Sequence, residues 1–133
     1  MWKIILLVLL AWLLLLHIPS IPIAYSQTPQ NPLGSEISPL VAYSIEQTLE
    51  RFGGGQWTYV NRIFEKESNW RHWVKNPRSS AWGLCQTMLS VYEVSDTFKD
   101  NPYEQVDWCL DYISERYQNP EKAWKYHQRK DWF

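Results

Sequence analysis

The chain has 133 residues, a formal net charge of −1 at pH 7 and 45% hydrophobic residues. This length accommodates one ordinary domain rather than two. A near-neutral chain offers no electrostatic basis for binding nucleic acid, which requires basic surface, and we expect no nucleic-acid partner. Nine tryptophans are present. Tryptophan suits both a small core and the apolar faces of sugar rings, so composition leaves both roles open.

Residues 1–26 have the organisation of a secretory signal peptide. A short positive start that contains Lys3 precedes an unbroken apolar run over residues 4–16. This run is shorter than the roughly 20 residues that a membrane-spanning helix needs. Ala24 and Ser26 are the small residues expected before a cleavage site. A retained N-terminal anchor is the alternative, and in either case we expect an exported protein, secreted or held in the cell envelope, with membrane contact only through this segment if it is uncleaved.

Residues 27–38 are predicted to be a flexible linker, and residues 39–133 a single domain. The linker is rich in Pro, Gln, Gly and Ser, which is typical of segments that do not pack. The domain that follows is small, so its core is limited and a cross-link would help it. We expect it to be monomeric.

The first predicted helix begins after an N-cap at Ser38 and ends at the glycine run 53–55. Leu40, Ile45 and Leu49 are its expected apolar stripe. The match of these positions to the helical period is only fair.

The second predicted helix, QWTYVNRIFEKESNW, carries an acid on its apolar face. Val60, Ile63 and Phe64 lie at i, i+3 and i+4. Glu67 at i+7 continues the same face. Glu65 is turned well over about 100° away from that face and is expected in water. The two glutamates are therefore not equivalent.

The rest of the chain is predicted to be loop over residues 71–81, then a short strand or turn with the start of a helix in AWGLCQTML, then a connection. A third helix follows Asn101, and a short fourth helix begins at Asn119 and Pro120. The predicted fold class is α+β and predominantly helical. The expected apolar stripe of the third helix consists of Val106, Cys109, Leu110 and Ile113.

Glu67 is a candidate general acid. An unpaired charge on a buried helix face is costly. Desolvation raises the pKa of a carboxyl and keeps it protonated near neutral pH, as a general acid requires. The alternative is a structural role, in which Glu67 pairs with Arg71 four positions further on.

Four segments in order, ESNW, NPRSSAWGLCQ, YISERYQNPEKAW and the closing DWF, resemble the lysozyme-like domain of lytic transglycosylases, which cut peptidoglycan. The similarity is closest to the small secreted members from actinobacteria, Gram-positive bacteria and phages, and covers roughly residues 57–133. It implies a lysozyme-like fold with a catalytic glutamate at the C-terminal end of a helix. It also implies peptidoglycan glycan strands as the partner and no metal or organic cofactor.

The resemblance assigns roles to individual residues. Glu67 matches the catalytic acid, and Ser68 matches the serine that helps to orient its carboxyl. Gln86 is expected to hydrogen-bond a sugar substituent, and Tyr112 to approach the glutamate from a later helix. The positions implied to bind substrate or line its cleft are Ser68, Gly83, Leu84, Gln86 and Tyr112.

Two positions depart from the family pattern. Cys85 stands where G-L-x-Q usually has another apolar residue, and Cys109 stands where a small residue is usual. These departures suggest that the two cysteines face each other across the core, and in an exported protein we predict a disulfide. Two reduced thiols packed together are the alternative. His72 and His127 have no partner at metal-ligand spacing, so no metal site is expected.

The mechanism implied by the resemblance uses one acid and ends in a 1,6-anhydromuramyl product formed without water. A lysozyme-type hydrolase is one alternative, with Glu93, Asp96 or Asp100 as the second carboxylate. A non-catalytic module that binds peptidoglycan is another. A chitin-active relative is a third, because the two polymers share their backbone. Trp70, Trp73 and Trp82 either stack on glycan or close the core.

Overall fold

The computed structural model describes residues 37–130, which form four helices and a two-stranded sheet. The predicted class, α+β and predominantly helical, is confirmed. The predicted signal peptide, the predicted linker up to residue 36 and residues 131–133 lie outside the described part. In chain order the elements are α1 Pro39–Phe52, α2 Trp57–Ser68, β1 Ala81–Trp82, β2 Thr87–Met88, α3 Pro102–Tyr117 and α4 Pro120–Lys130.

The sheet is a small antiparallel hairpin, in which Ala81 pairs with Met88 and Trp82 with Thr87. The helix start predicted after AWGLCQ is wrong, because turns and irregular chain follow β2. Ser90 N–H donates to the Ser80 hydroxyl oxygen at 3.0 Å rather than to a helical carbonyl. The Ser80 side chain therefore ties the segment that follows β2 to the residue that precedes β1.

The core forms where α3 packs against both α1 and α4, and α2 packs against α1 and α4. The apolar faces predicted for α2 and α3 are confirmed, since every residue named for them, Glu67 aside, is fully buried. Burial of each large aliphatic or aromatic side chain contributes about 1.5–3 kcal/mol. The buried cluster consists of Val60, Ile63, Phe64, Leu84, Cys85, Val106, Cys109, Leu110, Ile113, Tyr117 and Ala123.

The stripe predicted for α1 is wrong at one end. Leu49 is 48% exposed, whereas Ser44 and Thr48 are fully buried. The two hydroxyls can be buried because each donates to a carbonyl four residues earlier, Ser44 to Leu40 at 2.7 Å and Thr48 to Ser44 at 2.6 Å. Helix α1 thus buries two hydroxyl groups whose hydrogen bonds are made within the helix. A search for apolar periodicity does not predict such a face.

An ionic network joins α1 to α3. The Tyr43 hydroxyl donates to Asp107 Oδ2 at 2.8 Å, and Arg51 donates to Asp107 Oδ1 at 2.9 Å and also to Asp111. Burial, together with the hydrogen bond to Asp107, raises the pKa of Tyr43 to about 12. The phenol therefore remains a donor at neutral pH.

In the stretch from residue 37 to residue 130, no helix has both the length and the apolar character to cross a bilayer.

Candidate functional site

Glu67 is the last residue but one of α2. Its side chain is 17% exposed, whereas Glu65 on the same helix lies in solvent. The helix stops because Asn69 and Trp70 both adopt positive φ, 52° and 60°, which turns the chain away. The difference between the two glutamates that the helical period predicted is therefore confirmed.

The partner of Glu67 is His127 on α4. His127 Nε2 lies 2.8 Å from Glu67 Oε1, and the imidazole is 4% exposed. The proposed pairing with Arg71 is not what the structure shows, because Arg71 Nε donates to the Ser68 carbonyl at 2.9 Å. His127 was missed as a site residue. The available signal was its position on the buried stripe of α4, at i+7 from Pro120 and i+4 from Ala123.

Ser68 joins the acid's helix to the segment of the G-L-x-Q element. Its hydroxyl donates to the Leu84 carbonyl at 2.9 Å, across 16 positions of sequence, and lies 3.2 Å from the Phe64 carbonyl. The residue is only 2% exposed. These contacts give Ser68 a positioning role at the end of α2, beside the carboxyl that it was expected to orient.

The Gly83-Leu84-Cys85-Gln86 turn links β1 to β2 and depends on its glycine. Gly83 has φ +78° and Gln86 has φ +54°. Gly83 N–H donates to the Val74 carbonyl at 2.9 Å, which ties the turn to the preceding loop. Leu84 is fully buried in the core, so its contribution is to anchor the turn rather than to present a side chain to a cleft.

Gln105 on α3 holds the turn from beneath, and sequence reasoning did not find it. Its Oε1 accepts the Leu84 N–H at 3.0 Å, and its Nε2 donates to the Phe98 carbonyl at 2.9 Å. The same nitrogen lies 3.1 Å from the His72 carbonyl and 3.3 Å from that of Lys99. Gln105 is 1% exposed. One buried amide therefore satisfies backbone groups from three separate segments.

We expect Gly83→Ala to destabilise the fold by about 2 kcal/mol. A Cβ at this position would lie 2.2 Å from Gln105 Oε1, and the positive φ is unfavourable for alanine. Gly54→Ala is the matched control, since nothing lies within 4 Å of its Cβ position and its φ is not in the left-handed range. Thermal unfolding of both variants checks this. Equal melting temperatures for the two variants would contradict it.

Gln86 and Tyr112 line the same cavity, which has a volume of about 180 Å³. Tyr112 stacks on Trp108 with ring centroids 5.3 Å apart and planes 12° apart. Burial raises the pKa of Tyr112 above its usual range, so its hydroxyl stays protonated. Pockets for drug-sized ligands are roughly 300–1,000 Å³, so this cavity has room only for a small group. Its lining consists of Cys85, Gln86, Thr87, Met88, Val91, Tyr92, Trp108, Tyr112 and Arg116.

Glu67 is not among the described residues that line this cavity. The two are linked through the cysteines. Cys85 belongs to the cavity wall. Burial raises the pKa of the Cys109 thiol, and Cys85 and the charge of Glu67 raise it further. Cys109 is therefore a neighbour both of the acid and of Cys85 in the cavity wall.

The predicted disulfide is not formed in the structure, where Cys85 and Cys109 are free thiols. Both are buried, at 7% and 0% exposure, and pack as small apolar side chains in the core cluster. Cys85 further raises the pKa of the Cys109 thiol, so the two cysteines are neighbours in the core, as the sequence suggested.

We expect slow alkylation of Cys109 in the native protein, because the thiolate is the reactive form and burial raises the pKa of this thiol. Under denaturing, non-reducing conditions both cysteines should alkylate at once. Intact-mass measurement before and after unfolding checks this. No alkylation of the unfolded, unreduced chain would contradict it and would restore the disulfide.

The three loop tryptophans have different surroundings. Trp70 packs on Phe64, with centroids 5.0 Å apart, and donates its indole N–H to Asn61 Oδ1 at 3.0 Å, so it closes the core. Trp73 is 59% exposed. Trp82 lies under Lys99, whose Nζ is 5.4 Å from the ring centroid.

A second cavity of about 450 Å³ lies beside Trp82 and Lys99. It is lined by Lys75, Ser79, Ser80, Trp82, Leu89, Ser90 and Lys99.

Within residues 37–130 there is no group of three or more His, Cys, Asp or Glu side chains arranged to hold a metal ion.

Comparison of the chain with protein-family models, with curated protein sequences and with solved structures found no match.

Proposed function

We propose that the chain is an exported lytic transglycosylase with a lysozyme-like fold, which cuts the glycan strands of peptidoglycan and uses Glu67 as its single catalytic carboxyl. The observation that most supports this is the hydrogen bond from Ser68 to the Leu84 carbonyl. It brings together the two segments that carry the strongest part of the resemblance, ESNW and AWGLCQ. These segments come from separate regions of the chain, and a purely structural helix end does not require them to meet.

The setting of Glu67 suits proton transfer. Its side chain is largely withdrawn from water but keeps 17% exposure. A carboxyl needs both properties, since burial favours its protonated form and residual access lets it reach a substrate oxygen. Glu65, which lies in solvent on the same helix, lacks this burial, and its partner is the Asn61 amide rather than a buried imidazole.

In the proposed reaction Glu67 gives its proton to the oxygen of the β-1,4 link between N-acetylmuramic acid and N-acetylglucosamine. The bond from this oxygen to C1 breaks, and the substrate's 2-acetamido group stabilises the positive charge at C1. The carboxylate then takes the proton of the C6 hydroxyl, whose oxygen bonds to C1. The acid regains the proton that it lost, no water enters, and the product is a 1,6-anhydromuramyl end.

The aromatic cavity is proposed as one sugar subsite. Gln86 supplies an amide for a sugar substituent, although its Nε2 now donates to the Gly83 carbonyl at 3.0 Å. Tyr112 supplies a protonated hydroxyl, and Arg116, whose guanidinium lies 5.7 Å from the Tyr112 ring centroid, adds a positive charge to the rim. The peptide stems attached to muramic acid carry carboxylates, so a cationic rim is favourable to this substrate.

Digestion of purified peptidoglycan tests the proposal. We expect the chain to release soluble muropeptides whose new ends have the anhydro mass. A protein that sediments with peptidoglycan and releases nothing would contradict the proposal and favour the binding module. Turnover of chitin oligomers with no action on peptidoglycan would favour the chitin-active relative.

A further inference from the structure

Glu67 and His127 form a short contact between α2 and α4. The two residues are 60 positions apart, and their atoms Oε1 and Nε2 are 2.8 Å apart. At 4% exposure the imidazole is almost completely enclosed. A polar ring enclosed to this extent needs a hydrogen-bonding partner, because an unsatisfied buried group is costly.

Packing fixes the ring in this place. The imidazole stacks on Trp124, with centroids 5.6 Å apart and planes 23° apart. Ala123, one turn earlier on α4, is fully buried, which brings α4 close against α2. The position of Nε2 is therefore set by the packing of two helices and not by a freely rotating side chain.

We propose that His127 is a positioning residue for Glu67, in which neutral imidazole donates its Nε2–H to Oε1 and so sets the direction of the other carboxyl oxygen, Oε2. This inference rests on the proposed function. The proton that the reaction uses is carried on Oε2, and the proton of His127 does not leave the ring. When Oε2 has given its proton to the glycosidic oxygen, the same hydrogen bond has a charged acceptor and becomes stronger. The interaction therefore stabilises the transition state more than the resting enzyme.

Two substitutions separate the hydrogen bond from the packing of the ring. Glutamine at position 127 can donate a similar hydrogen bond to Oε1 from its amide. Phenylalanine keeps an aromatic ring at this position but has no donor.

Titratable groups from three helices meet at this site. Helix α2 contributes Glu67, α4 contributes His127, and α3 contributes Cys109, whose thiol has its pKa raised by burial and further by the charge of Glu67. Cys109 is thus a neutral neighbour and does not supply a competing charge. The ionic side chains close in sequence to Glu67 or His127 that are exposed to solvent are Glu65, Lys66, Arg71, Lys125, Arg129 and Lys130.

The test compares the full chain with three variants, His127→Gln, His127→Phe and the control His72→Gln, by kcat and KM for muropeptide release. We expect His127→Gln to remain within about threefold of wild type in kcat, because its amide can replace the hydrogen bond. His127→Phe should lower kcat roughly 10- to 100-fold with KM unchanged, because it removes a hydrogen bond to a charged acceptor. His72→Gln should have the wild-type kcat and KM.

A full rate for His127→Phe, or a His127→Gln protein as slow as His127→Phe, would overturn the inference. If His127→Phe melts below the assay temperature, the tautomer of the wild-type ring decides alone. NMR of the resting wild-type protein gives a readout that does not require activity, since the neutral ring should carry its proton on Nε2, and a proton on Nδ1 alone would overturn the inference. If the wild type releases no muropeptides, the proposed function fails. The NMR assignment of the ring proton to Nε2 or to Nδ1 then shows whether His127 donates a hydrogen bond to Glu67.

Discussion

Replacing Glu67 with Gln should reduce muropeptide release about a thousandfold, because a side-chain amide has no proton of suitable acidity to give and cannot act as the later base. A general acid or base typically contributes about 10²- to 10⁴-fold, and Glu67 is proposed to act in both steps. Glutamine has nearly the same shape, and its Oε1 can still accept from His127 Nε2, which now lies 2.8 Å away. The loss should therefore occur without unfolding.

Glu65→Gln is the matched control for this variant. The chemical change and the helix are the same, but the side chain lies in solvent, where Asn61 donates to its Oε1 at 2.8 Å. We expect its rate to stay within about twofold of wild type, since exposed substitutions have small effects. Initial rates on purified peptidoglycan measure both variants. A Glu67→Gln protein as fast as the Glu65→Gln protein would remove Glu67 from the catalytic role.

Gln105→Leu should have the largest effect on stability, a loss of about 3 kcal/mol. Leucine is similar in size, but it leaves the Leu84 N–H without its acceptor and three carbonyls without their shared donor, the carbonyls of His72, Phe98 and Lys99. A buried group that loses its partner costs about 1–3 kcal/mol, and a small domain has only about 5–15 kcal/mol in total.

Gln128→Leu is the corresponding control, because Gln128 is exposed near the end of α4. Urea or thermal unfolding followed by circular dichroism measures both variants. For a domain of this size, about 3 kcal/mol corresponds to a fall in melting temperature of more than about 10 °C. Similar melting curves for the two variants would show that the Gly83–Gln86 turn does not depend on the amide.

Part of the candidate site follows from local sequence patterns. The helical period of α2 was sufficient to separate half-buried Glu67 from exposed Glu65, because rotation about a helix axis depends only on spacing. The start of α3 directly after Asn101 was likewise predicted, and in the structure Asn101 Oδ1 accepts the N–H groups of Tyr103 and Glu104. Such features depend on residues a few positions apart.

The rest depends on contacts between distant residues. The bond from Gln105 to Leu84 spans 21 positions, and the pair formed by His127 and Glu67 spans 60. No local sequence pattern predicts which two buried polar groups will form a hydrogen bond across such distances. The buried face of α1 was misread for a related reason, since Ser44 and Thr48 are buried through hydrogen bonds to their own helix. Apolar periodicity does not detect a polar group whose partner is backbone.

Digestion of peptidoglycan in water enriched in heavy oxygen tests the central claim most directly, which is that one carboxyl at position 67 performs both proton transfers and the new end closes on itself. The account requires muropeptides with anhydro ends that contain no heavy oxygen, because the C6 oxygen of the substrate forms the new bond. Heavy oxygen at the newly formed C1 position would contradict the account, because water would then have attacked the sugar and a second group would have to activate it.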